Sequence, residues 1–433
     1  MPTIVISGRI QWGGPMALYG YVEQHCELTR RYFLGLGAAG MAGMAVSPLL
    51  ADPSPRSPQL TEAISKLRYL TPQVDFGTVE RGKPLPYTLP EEKLKAAGMT
   101  RETWQLEVVP DPDSNPVMEK SLSKEQGNAL DFSGLMKLAD NHAVRFAKVM
   151  TCNNGGSPLG MGIWEGVPLR EIIWFTRPKE NIRRVFYHGY HNDDPKQLFQ
   201  SSMPIGRVLE DPPGMPPVIL CYRLNGKPLS GKRGGPVRLI APEAYGFKSV
   251  KWLNRVVLTN LFHANDTYAH GNNDVDSWLK TFARMLSAPG RVKEGELIPV
   301  TGVAQVGISG LRKVQVWVTS KPTNLPDDDP YFTRGDWRDA EILAPPTHWG
   351  GDLADGRLPG TPLGFDPKTN RPKTWPMRYA IAHWASLIPG LAAGKYDLRC
   401  RTIDDNGLAQ PLPRPFRKSG RNSIERKTLI VEA

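Results

Sequence analysis

The sequence predicts an α+β protein in which a mixed α/β domain is followed by an immunoglobulin-like β-sandwich. Three observations point there. Gly 42 and Pro 41 in 433 residues favour short strands and many turns over long helices. Between about Lys120 and Thr259, strand-like runs such as RFAKVMTC, RRVFYHGY, PVILCYRLNG and RVVLTN alternate with short helix candidates such as PLREIIWF. Beyond Leu286 the helix candidates stop. IPVTGVAQVG, KVQVWVTS, RYAIAHWASL, KYDLRCRTID and RKTLIVEA then follow one another across Gly, Pro and Asp turns, the punctuation of a sandwich.

Taken in order, residues 1–51 read as an export signal. TRRYFLGLGAAGMAGMAVSPLLA, from Thr29, places Arg30 and Arg31 ahead of Phe33 and Leu34 and a mild Gly/Ala/Met stretch, which matches the twin-arginine pattern. A helix of the fold is the poorer reading, because Gly35, Gly37 and Gly40 would each cost about 1 kcal/mol in a helix interior. Met16 is a candidate start, since the residues before Thr29 are long for such a signal. The twin-arginine route carries folded proteins, so a periplasmic protein loaded with a prosthetic group before export is expected. Residues 52–118 form an N-terminal extension that is part of the main domain, with a short helix at Pro90–Gly98 and a strand at Trp104–Val109 before the Pro110–Asp113 turn cluster. Residues 119–285 make the main domain and 286–433 the sandwich. Lys313–Val318 alternates strictly, which puts one face inward, while Asp327–Arg338 and Gly350–Pro376 look like surface excursions.

Bulk properties narrow the function. The net charge of +11 fits an anionic ligand, an acidic partner or solubility. No block of consecutive Lys and Arg and no nucleic-acid-binding motif occurs, which argues against nucleic acid. No apolar run reaches the ~20 residues of a membrane span. Cys26, Cys152, Cys221 and Cys400 lie far apart and none forms C-x-x-C, so zinc, thioredoxin-type and c-type haem motifs are unsupported. Cys221 and Cys400 sit in strand-like runs and read as buried core thiols, with a disulfide between them left open in an oxidising compartment. Cys26 falls in the signal.

Cys152 is different. VMTCNNGGSPLGMGIWEGV (Val149–Val167) puts it at the end of a strand and the mouth of a Gly/Asn turn. Downstream, ILCYRLNGKPLSGKRGGPVRLIAPEAYGFKSVKWLNRVVLT (Ile219–Thr259) combines a strand with an N-G turn, then G-x-P-V-R-L, then a Pro-led loop ending in K-W-L. These two segments, in this order, resemble the sulfite oxidase family of molybdopterin-dependent oxidoreductases in its bacterial periplasmic branch, and the likeness covers nearly all of the chain after the signal. The resemblance implies a molybdenum cofactor bound by the main domain and a terminal sandwich of the dimerisation type. Cys152 would be the metal ligand and catalytic residue, a soft thiolate beside the pterin's soft dithiolene. His188, His191, Arg238, Lys248, Ser249 and Lys251 would hold the pterin and its phosphate, Arg through its fork and Lys as a point charge.

The chain also departs from the family pattern. Sulfite oxidases place arginines just after the cysteine, where this sequence has Asn153-Asn-Gly-Gly-Ser157, and another after the loop tryptophan, where it has Pro168 with Arg170 nearby. Phe199 stands where the family has a tyrosine, and LTPQVDFGTVERGKP offers no counterpart to an upstream Arg-Asn-His segment. A buried dianion would then lack partners, at several kcal/mol. The expectation is a periplasmic oxidoreductase that transfers an oxygen atom to or from a small molecule. It would pass electrons to a separate c-type cytochrome, as a homodimer or a subunit of a larger complex. A sulfoxide reductase of the same family and a catalytically degenerate structural subunit are the alternatives.

Overall fold

The structure, a computed structural model, describes residues 57–321, 329, 332–414 and 416–433; the twin-arginine segment and Cys26 lie outside them. The first domain runs through β1 (Gln105–Pro110), β2 (Leu130–Asp131), β3 (Val144–Thr151), β4 (Pro158–Pro168), β5 (Arg184–Gly189), β6 (Gln200–Pro204), β7 (Ile219–Leu224), β8 (Lys227–Pro228), β9 (Arg238–Ile240) and β10 (Leu253–Thr259). One sheet has the order β2-β1-β10-β5-β6, and another runs β3-β4-β7-β8 with β9 beside β7. β1 lies parallel to β10, so the N-terminal extension contributes a central strand of this domain. Leu106, Val108, Val185, Tyr187, Val256 and Leu258 from the first sheet share a core with Leu220, Leu239 and the helix Leu169–Phe175. That helix starts at Pro168, whose fixed φ suits a helix entry, and buries Leu169, Ile172 and Ile173.

The second domain comprises β11 (Phe282–Ser287), β12 (Arg291–Lys293), β13 (Ile298–Gln305), β14 (Lys313–Ser320), β15 (Arg338–Ile342), β16 (Ile381–Ile388), β17 (Gly394–Ile403) and β18 (Glu425–Glu432). They form one curled sheet, β11-β13-β16-β15-β14-β17-β18-β12, closed around Val300, Val314, Val316, Trp384, Leu398 and Leu429 as a β-sandwich. The sandwich begins at Phe282, a few residues before the turn that marks it in sequence. In β14 the face expected to meet solvent is covered as well. Gln315 and Trp317 are buried, because Phe332 and Trp337 of the adjoining excursion pack their rings 5.9 and 5.5 Å from that of Trp317. Cys221 in β7 and Cys400 in β17 are buried free thiols, each raised well above the ordinary thiol range by burial.

The domains meet along β3 and β4. Val149 N–H donates to Tyr379 O (2.7 Å), and Thr151 Oγ1 donates to Gln305 Oε1 of β13. The helix Pro58–Ser65 docks on the sandwich through Leu60, beside Leu343 and Ala385. The loop between β3 and β4 is therefore held by both domains.

Candidate functional site

β3 and β4 pair antiparallel from Val144↔Gly166 to Met150↔Gly160, and the register slips between Met150 and Thr151. The slip releases residues 152–157 into a turn closed by Gly155 N–H donating to Cys152 O (3.1 Å). Gly156 takes φ +67°, and a side chain there would run into Arg284 and Arg421. Cys152 leaves this turn as a half-buried free thiol lining a cavity of about 190 Å³.

The cavity lining falls into two groups of interacting side chains. The first is a set of cations, two buried and one half-buried. Arg238 donates Nη1 to Arg233 O (2.8 Å) and Nη2 to Ser249 O (2.6 Å), with its guanidinium 5.3 Å from the centre of the Trp164 ring. Arg233 donates Nη1 to Gly77 O (3.0 Å), and Lys251 Nζ donates to Thr78 Oγ1 (2.9 Å). Burial, compounded by Arg238 and Arg233, pushes Lys251 down to about 7, and burial takes Arg238 down to about 10. No carboxylate pairs with these three cations within ion-pair distance among the described residues. Arg233 Nε and Nη2 and Arg238 Nε are buried with no hydrogen-bond partner. Leaving such donors unmet costs about 1–3 kcal/mol each, so the cluster is built for an anion with several oxygens.

The second group surrounds Cys152. The Arg81 guanidinium lies 3.7 Å from the centre of the Phe199 ring, and Lys418 Nζ lies 5.6 Å from that of Tyr268. Phe199 and Tyr268 meet edge to face at 5.9 Å, and Tyr268 stacks on Phe247 at 3.8 Å. His191 bonds through Nδ1 to Gly189 O (2.6 Å), and burial lowers it to about 4. It is therefore neutral near pH 7, with the proton on Nδ1, because a carbonyl only accepts.

Of the residues singled out from sequence, Cys152, His191, Arg238, Ser249 and Lys251 line this one cavity. His188 and Lys248 do not. His188, on β5, lies outside the cavity lining, with Arg255 and Glu107 among the charges that act on it. Lys248 donates Nζ to Ser202 O, on the side of Asp266 and Asp276, and supports the loop from behind. Ser249 lines the cavity, yet its hydroxyl already accepts from Ala241 N–H (3.2 Å). Two further cations, Arg81 and Lys418, line the cavity. Arg81 comes from the very segment that offered no counterpart to Arg-Asn-His, and Lys418 comes from the second domain. Arg233, Tyr268 and Trp252 complete the set that sequence reasoning passed over. Arg233 had a local signal, since it sits in the G-K-R-G-G-P turn just ahead of Arg238.

Among the described residues no group of three or more His, Cys, Asp or Glu converges to hold a metal ion. A metal beside Cys152 would need ligands brought by a cofactor, and the buried unpaired guanidinium groups match that cofactor's phosphate. The model of the oxidoreductase molybdopterin binding domain matches residues 99–266. The mitochondrial sulfite oxidase of Drosophila melanogaster is 31% identical over 143 residues, or 33% of this chain and 24% of that protein. The mitochondrial sulfite oxidase of Rattus norvegicus is 26% identical over 231 residues, 52% of this chain and 37% of that protein. Residues 99–266 are therefore a molybdopterin-binding oxidoreductase domain, and the chain is similar to sulfite oxidases. The cofactor of such a domain is molybdopterin. Nitrate reductases share the domain: an inducible NADH enzyme of Glycine max is 32% identical over 123 residues, 26% of this chain and 14% of that protein. The match thus spans well under half of these relatives. The fold of both domains together is that of the sulfane dehydrogenase SoxCD of Paracoccus pantotrophus (TM-score 0.53, 15% identity, 90% of this chain and 97% of that one). Were a molybdopterin bound in this cavity, Cys152 would meet the metal through Sγ, while Arg233, Arg238 and Lys251 would hold the phosphate.

Proposed function

We propose that the protein is a periplasmic sulfur-compound oxidase. It withdraws two electrons from a small sulfur oxyanion, with sulfite as the simplest case, and passes them to a separate c-type cytochrome. The observation that carries this reading is the pair Arg81 and Lys418. Both line the cavity that holds Cys152, both are backed by aromatic rings, and neither makes an ion pair with a carboxylate among the described residues. Two unpaired cations beside the reacting centre favour an anion; a neutral sulfoxide would leave them uncompensated. They also remove the main reason to think the chain degenerate. The names of the sulfite oxidase and sulfane dehydrogenase relatives support sulfur chemistry, and the twin-arginine pattern at Thr29 supports export of a loaded protein.

When bound, the cofactor supplies two-electron oxygen-atom transfer. The chain's own residues bind and orient. Arg81 and Lys418 attract the substrate's oxygens and hold its sulfur toward Cys152. Phe199, Phe247 and Tyr268 wall that side and reduce the water around it, which strengthens both charges. For sulfite the balance is sulfite plus water giving sulfate, two electrons and two protons. His191 is neutral and unprotonated at Nε2, which leaves that nitrogen free to accept a hydrogen bond. Parallel assays of sulfite oxidation with cytochrome c and methionine-sulfoxide reduction with a reduced dye test the proposal. Oxidation without sulfoxide reduction is expected, and the reverse result would overturn it.

A further inference from the structure

The residue after the cysteine carries no charge and no obvious chemistry, yet both ends of its side-chain amide are hydrogen-bonded. Asn153 is 1% exposed. Its Nδ2 donates to Ser277 Oγ (2.9 Å) and to Lys418 O (3.1 Å). Its Oδ1 accepts from Gly420 N–H, and its own carbonyl accepts from Arg421 N–H (3.0 Å). A primary amide is needed here, because the site asks for two donors and one acceptor from a short side chain. The partner segment is equally constrained. Gly420 has φ +82°, and a Cβ there would lie 2.6 Å from Tyr245 Oη. Lys280 Nζ caps Ser419 O, and Arg284 Nη1 donates to Ser423 O (2.7 Å).

We infer that Asn153 is a positioning residue through which the second domain completes the site: its amide clamps residues 418–421 onto the cysteine turn and so sets the Lys418 ammonium in the cavity. The backbone carbonyl gripped by the amide is that of Lys418 itself. The side chain of that residue reaches over Tyr268 into the same cavity that Cys152 lines. One side chain thereby fixes the cysteine turn and the cation that faces it. This rests on the reading that Cys152 marks the reacting centre, and it adds that the charge near that centre is placed from the sandwich.

Asn153→Asp keeps the shape and removes both donors, turning an oxygen toward Lys418 O. Ser277→Ala removes one of the amide's two acceptors, together with a hydrogen bond to Asp274 O, and serves as a milder variant should the first fail to fold. Three readouts on the holoenzyme are needed: molybdenum per chain, tryptic cleavage after Lys418, and KM and kcat for sulfite. Asn153→Asp should expose Lys418 to trypsin and raise KM roughly tenfold, with kcat and molybdenum changed less than KM. Ser277→Ala should do the same to a smaller degree. Lys418→Ala alone should also raise KM by roughly tenfold, and the double variant should add little, because both act on one ammonium. Additive effects near a hundredfold, or a tryptic pattern like wild type in Asn153→Asp, would overturn the clamp. If no sulfur oxyanion is turned over by the wild type, the functional proposal fails, while the tryptic comparison still decides the clamp.

Discussion

Replacing Lys251 with methionine should stabilise the cofactor-free protein while weakening its affinity for anions. Lys251 Nζ donates to Thr78 Oγ1 and lies 5.5 Å from the centre of the Trp252 ring, beside Arg233 and Arg238, and burial has pushed it from 10.5 to about 7. At about 1.4 kcal/mol per pH unit, that gap bounds the cost of keeping it charged at about 5 kcal/mol. The side chain keeps some solvent access, so about 2 kcal/mol is the working figure, and methionine retains the length of the stem. The sign follows from the lowered value. The folded protein binds this proton less well than the unfolded chain, so the penalty is complete below about pH 7 and gone above about pH 10.5. Urea unfolding of the cofactor-free protein should therefore show Lys251→Met about 2 kcal/mol more stable at pH 7 and level with wild type at pH 10.5. Sulfate, an anion with no proton of its own to titrate here, should bind the variant at least roughly tenfold more weakly. A variant less stable than wild type at pH 7, or one whose stability difference is the same at both pH values, would refute the account of these cations.

Other outcomes follow from the same geometry. Sulfate binding to the wild-type cofactor-free protein should weaken as pH rises through 7, by up to roughly tenfold per unit, because Lys251 loses the charge that the anion needs; titration calorimetry across pH 6–9 reads this. Arg81→Ala should raise KM for sulfite roughly tenfold and flatten its dependence on salt, with a smaller change in kcat. His191, held near 4, should give no inflection in kcat between pH 5.5 and 8, and an inflection there that disappears in His191→Gln would contradict its neutral assignment.

The fold was legible where patterns are local. The helix Glu91–Ala96 and the strand Gln105–Pro110 lie within a residue or two of the spans read from sequence, because Pro110 and the glycine at 98 punctuate them. Cys152 stood out because a β-strand that ends in CNNGG asks for a turn. The covered face of β14 was not legible, since the rings that bury Trp317 come from a segment with no periodicity of its own. The same holds for the site. Arg238, Ser249 and Lys251 fall within a single motif, whereas Arg81 and Lys418 stand 71 positions before and 266 after Cys152 and meet it only through the tertiary fold. Lys248 was misread for the converse reason: it shares the motif, but the turn Gly246–Lys248 directs it to Ser202 on the far side of the loop.

The central claim is that the thiolate of Cys152 binds molybdenum. X-ray absorption at the molybdenum edge counts sulfur neighbours directly, in the wild type and in Cys152→Ser loaded under the same conditions. One sulfur fewer in the variant, or loss of the metal altogether, is the result this structure predicts. An identical sulfur count at full occupancy would show that the metal is held elsewhere, and that the cavity around Cys152 serves another purpose.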